Sequence, residues 1–136
     1  MTTENKKQSL SNQADSMQQM QAAKRHLQQE FMQIMQAKPS QNLQWKGTKT
    51  DLFELTYDIF LDGIVVDNRG CPATYTWLVN YICNILHVDV PSNPRSYTNK
   101  AHARKGFRQK PFIERYCFMM FNSNISDPLH ESITVA

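Results

Sequence analysis

The stretch Trp45–Gly63, WKGTKTDLFELTYDIFLDG, decides the fold. Leu52, Leu55, Ile59 and Phe60 recur at the spacing of one helical face. Thr48 or Thr50 can accept a hydrogen bond from a free first-turn amide, and Asp51 suits the positive end of the helix. Gly63 can adopt the left-handed conformation that closes it. The stretch therefore predicts a capped amphipathic helix. Trp45 can stack on a base, but its place ahead of the cap fits better with plugging the start of that helix.

Working outward, IVVDNRG (64–70) reads as a short strand or a bend, with DNRG as a turn. After Pro72, ATYTWLVNYICNILHV carries Trp77, Leu78, Tyr81, Ile82, Ile85 and Leu86 on a wide apolar face, which predicts a central helix. Pro94 can occupy a first helical turn capped by Asn93 or Ser92, and Gly106 can end that helix. Pro111 can open another, PFIERYCFMMF, with Phe112, Tyr116, Met119 and Met120 turned inward. Upstream, residues 1–15 are polar and expected to be loose. Met17, Met20, Leu27, Phe31 and Ile34 give residues 16–38 one apolar stripe, an arm that either packs on its own domain or forms a homodimer. Residues 123–136 have no clear period and read as a tail. The expected fold is all-α: a small, helical, helix-turn-helix-like domain over 43–122, preceded by the arm.

Composition limits what such a domain can do. Only 4 of 136 residues are Gly, which argues against a Gly-rich phosphate loop. Cys71, Cys83 and Cys117 have no short spacing, so neither a zinc site nor a cofactor is expected, and reduced thiols fit a cytoplasmic protein. No apolar run reaches the roughly 18–20 residues of a membrane span. His26, His87, His102 and His130 are scattered, and no base can be assigned to a cysteine nucleophile, so no enzyme is expected. Asp58 and Asp62, one helical turn apart, read as a solvated acidic face rather than a cation site.

Charge is unevenly spread. The net of +3 conceals residues 51–90, with one Arg and six acids (−5), beside residues 91–115, with seven Lys/Arg and one acid (+6). Within the basic block, Arg95, Thr98, Asn99 and His102 share one side of a helix at about 100° per residue. Arg pairs with guanine and Asn with adenine in the major groove, so these four are candidate base readers. Lys100, Arg104, Lys105, Arg108 and Lys110 flank them and suit phosphates, which fix position without reading sequence. The bland reading is a solvated helix face, yet such faces mix signs and this run has no acid.

The chain also resembles a known family. Trp45, Gly47, Thr48, Lys49, Thr50, Asp51, Leu52, Glu54, Leu55 and Tyr57 match a run characteristic of the C-terminal half of the RteC family, regulators carried by conjugative transposons. Val88, Asp89 and Val90, then Arg95, Ser96 and Tyr97, then Arg104, Lys105, Arg108 and Phe112 stand at corresponding later places. The resemblance covers roughly residues 43–120. It implies a transcription regulator that binds double-stranded DNA through helix-turn-helix-like helices and controls excision or transfer genes of a mobile element. Where the family has a long N-terminal domain, a Gln-rich helix is expected ahead of the resembling segment. The competing expectation is a protein-interaction module that modulates a full-length regulator without binding DNA.

Overall fold

The computed structural model describes residues 2–97 and 110–136, with side chains from residue 14 onward. Helix α1 spans Thr2–Met35, α2 Lys49–Asp62, α3 Tyr75–Leu86 and α4 Phe112–Phe121. Residues 94–97 form a further helical turn. The fold is mostly helical, but it also contains a small sheet. Strand β1, Leu43–Trp45, pairs antiparallel with β2, Ile133–Val135, matching Leu43 with Val135 and Trp45 with Ile133.

Helix α2 starts and stops at the residues its sequence marks. The Thr48 side chain accepts from the Asp51 amide at 3.1 Å, and Gly63 closes the helix at φ 67°. Leu52, Phe53, Leu55 and Ile59 are buried and meet α3 through Leu78, Val79, Ile82, Cys83, Ile85 and Leu86. Thr74 caps α3 by accepting from the Trp77 amide at 3.1 Å. The IVVDNRG segment forms a bend: the Asp67 carboxylate accepts from the Arg69 and Cys71 amides at 2.8 and 3.1 Å, and Val66 bridges Pro72. These amides hold the Asp67 carboxyl below its ordinary range.

Two expectations need correction, and one open alternative is resolved. Residues 1–15, expected to be loose, continue the helix from Thr2, because no Gly or Pro interrupts the chain before Pro39. Of the two alternatives for residues 16–38, packing on the chain's own domain is the one seen. Ala23, Leu27, Phe31 and Ile34 are buried in the common core, and α1 packs on α3 and α4. Residues 123–136 are not a free tail either: Leu129 is 1% exposed, and β2 is pinned to β1.

The connection from α3 to the helical turn at 94 covers residues 87–93. His87 ends α3 in the left-handed conformation at φ 57°, and its Nδ1–H donates to the Leu43 carbonyl at 2.7 Å. This link is longer than the roughly three- or four-residue turn of the helix-turn-helix motif.

Candidate nucleic-acid interface

Of the nine residues assigned to DNA, the structure describes Arg95 and Lys110. Thr98, Asn99, Lys100, His102, Arg104, Lys105 and Arg108 lie outside the described residues. The two flanks of the basic run, 95–97 and 110–115, can be built up from side chains, and both rest on α2.

On the first flank, the Arg95 guanidinium carbon lies 4.3 Å from the centre of the Tyr57 ring. Tyr97 meets Phe53 edge to face at 5.0 Å. Tyr57 is itself held by an edge-on contact with Tyr75 at 5.3 Å and a tilted contact with Phe60 at 5.8 Å. Arg95 forms no ion pair among the described residues.

On the second flank, α4 begins after Pro111, which supplies no side-chain cap. Glu54 of α2 takes that role from outside the helix, accepting the Phe112 amide at 3.0 Å. A carboxylate there satisfies an orphan donor and faces the positive end of the helix dipole. Asp51 receives two bonds from Arg115, at 2.6 and 3.0 Å, while Arg115 Nε donates to the Lys110 carbonyl at 3.0 Å. The bidentate contact with Asp51 raises the Arg115 pKa. Lys110 is therefore fixed through its backbone and its side chain is exposed.

These contacts give physical content to the run from Trp45 to Tyr57. Trp45 Nε1–H donates to the Thr48 carbonyl at 2.8 Å, and its indole lies over Gly47, where a Cβ would come within 2.7 Å of the ring. Thr48 caps α2, Leu52 and Leu55 fill the core, Asp51 and Glu54 fix α4, and Tyr57 seats Arg95.

A second polar cluster went unseen in the sequence. Glu30 of α1 is 1% exposed, and its carboxylate accepts from the Tyr116 hydroxyl, the Leu129 amide at 3.1 Å, the His130 amide at 3.1 Å and His130 Nδ1–H. Burial, reinforced by Glu30, raises the Tyr116 pKa strongly, so the phenol remains a donor. His26 Nε2–H donates to Asp127 at 2.8 Å. His26 and His130, scattered in sequence, thus converge on one place. His26, Glu30 and Asp127 bring three potential metal-ligand atoms within 4.8 Å of one another. The four bonds to Glu30 already fill the lone pairs of its two oxygens. The cluster therefore reads as a tether between α1, α4 and the C-terminal segment.

Among the described residues, no helix is long and apolar enough to cross a membrane. Compared with known proteins, the chain matches no family model, no curated sequence and no solved structure.

Proposed function

We propose that the protein is a double-stranded DNA-binding regulator that acts by occupancy, with residues 95–110 as its contact surface. One observation carries this reading. Arg95, Lys100, Arg104, Lys105, Arg108 and Lys110 are six cations with no acid between them, on a run whose two flanks are both fastened to α2. Two of the α2 acids are engaged at the second flank: Asp51 is bound to Arg115, and Glu54 accepts the Phe112 amide. Lys100, Arg104, Lys105, Arg108 and Lys110 neutralise phosphates in this reading, and Thr98, Asn99 and His102 meet base edges. The resemblance to the RteC family supports a helix-turn-helix-like mode and a role in excision or transfer of a mobile element.

The test is selection of bound duplexes from the protein's own genomic neighbourhood, followed by affinity measured across salt concentrations. Neutralising about four to six phosphates gives a log–log salt slope of about −4 to −5. Salt-insensitive binding overturns the phosphate assignment. Arg104→Glu with Lys105→Glu abolishes function under this reading.

A second reading, a protein-interaction module, draws on a cleft between α1 and α4 lined by Gln19, Met20, Cys117, Phe118 and Met119. Phe118 is 58% exposed there. The stripe from Ala23 to Ile34 is used internally, so self-association in this reading uses the cleft instead. A strict monomer in sedimentation removes that version.

A further inference from the structure

We infer that Arg95 is a phosphate clamp, not a base reader, and that Tyr57 is its positioning residue; this rests on the duplex-DNA reading above. Four observations lead there.

Arg95 is exposed, yet its guanidinium is not extended into solvent. It lies over the Tyr57 ring, 4.3 Å from the ring centre. The ring cannot easily yield, since Tyr75 and Phe60 pack against it. The backbone that bears Arg95 is seated as well, because Tyr97 docks on Phe53 two residues later. Finally, no carboxylate among the described residues takes up the charge.

A guanidinium held over a ring forms no hydrogen bond to it, so its planar fork of N–H donors is left to match two phosphate oxygens. Base reading makes a different demand, since a side chain must reach into a groove about 8.5 Å deep. Arg95 instead spends its length along the domain's own surface. The stack also orders a long side chain before any partner arrives, which lowers the cost of binding. Tyr57 therefore strengthens a contact that it does not itself make.

The test uses the full chain and a fluorescein-labelled mixed-sequence duplex of about 20 base pairs, with anisotropy read at several salt concentrations. Arg95→Gln weakens binding and makes the salt slope shallower by about 0.9, alike on selected and mixed-sequence duplexes. Tyr57→Leu weakens binding about 3–5-fold with the slope unchanged, because the charge remains but is no longer held. Tyr57→Phe restores wild-type affinity, and Tyr57→Leu adds nothing in the Arg95→Gln background. Without DNA, the Arg95 side-chain protons carry an upfield ring-current shift by NMR, kept in Tyr57→Phe and lost in Tyr57→Leu. Loss of discrimination between selected and mixed duplexes in Arg95→Gln would show a base reader and overturn the clamp. So would an unchanged affinity in Tyr57→Leu, or additive losses in the double variant. If the wild-type chain does not bind the duplexes at low salt, the DNA reading falls and the clamp falls with it; binding by wild type that is indifferent to Tyr57 removes the clamp alone.

Discussion

Replacing Glu30 by Ala tests the polar tether directly. The substitution deletes a carboxylate that is 1% exposed and leaves the Tyr116 hydroxyl and the Leu129 amide without their acceptor. Each orphaned buried donor costs about 1–3 kcal/mol. His130 is 44% exposed at its side chain, so it can turn to water and contributes little. The helix itself gains only a few tenths of a kcal/mol from Ala. The expected loss is about 3–5 kcal/mol, which for a chain of this length lowers Tm by about 10–20 °C. Urea denaturation of four proteins provides the measurement: wild type, Glu30→Ala, Tyr116→Phe and the double variant. Tyr116→Phe alone costs about 1 kcal/mol, since one satisfied bond is removed. In the Glu30→Ala background the same change recovers about 1–2 kcal/mol, because it removes an orphaned hydroxyl. A loss under about 1 kcal/mol for Glu30→Ala, or simple additivity of the two changes, refutes the reasoning.

Other outcomes follow from single contacts. Glu54→Ala strands the buried Phe112 amide at the start of α4 and costs about 1–3 kcal/mol in urea melts, whereas Glu54→Gln keeps an acceptor and costs less. Gly47→Ala places a methyl 2.7 Å from the Trp45 indole, which is pinned by its bond to Thr48, so stability falls by about 1–3 kcal/mol and Trp fluorescence shifts. A thiol reagent at neutral pH modifies exposed Cys71 first and Cys117 slowly, and leaves Cys83 until the chain unfolds, since burial pushes the Cys83 thiol up to about 11. The Asp67 carboxyl, held low by the Arg69 and Cys71 amides, supports its turn fully above the unfolded value near 3.8. That support fades as pH falls through the lower folded value, which a carbon-detected titration of the carboxyl reads directly.

The helices that are legible in the sequence are those whose signals are local. Thr48, Gly63 and the 52–55–59 spacing define α2 without any knowledge of the rest of the chain, and Pro111 marks the start of α4. The wide face of α3 is legible only in part. Leu78, Ile82, Ile85 and Leu86 point inward as expected, but Val79 and Cys83 take the places given to Trp77 and Tyr81. Those two rings instead stack on each other at the margin of the core, with Trp77 half-buried against it, and the Tyr81 hydroxyl donates to the Met35 carbonyl. An amphipathic aromatic is satisfied by one apolar face and one polar partner, which periodicity cannot distinguish from burial. The C-terminal segment was illegible because it is held by backbone pairing and by single acceptors, neither of which leaves a period. Glu30 was missed for a related reason. A charged residue on an apolar stripe is ordinarily solvated, and its donors come from residues 86 to 100 positions away. At the candidate interface, charge and the Arg95–Tyr97 step stood out in the sequence. The dependence of both flanks on Asp51, Glu54 and Tyr57 did not, because it lies in contacts between segments.

The tether at Glu30 also bears on the rate at which the protein comes apart. Its bonds join residues 86 to 100 positions apart, so a large loop must close before any of them forms. We take these bonds to form after the folding barrier, a placement that Glu30→Ala tests by raising the unfolding rate while leaving the folding rate unchanged. Interactions absent from the transition state act on the unfolding rate and leave the folding rate nearly untouched. The buried glutamate would thus work as a brake: it does little to help the chain find its fold, and much to lengthen the time spent in it.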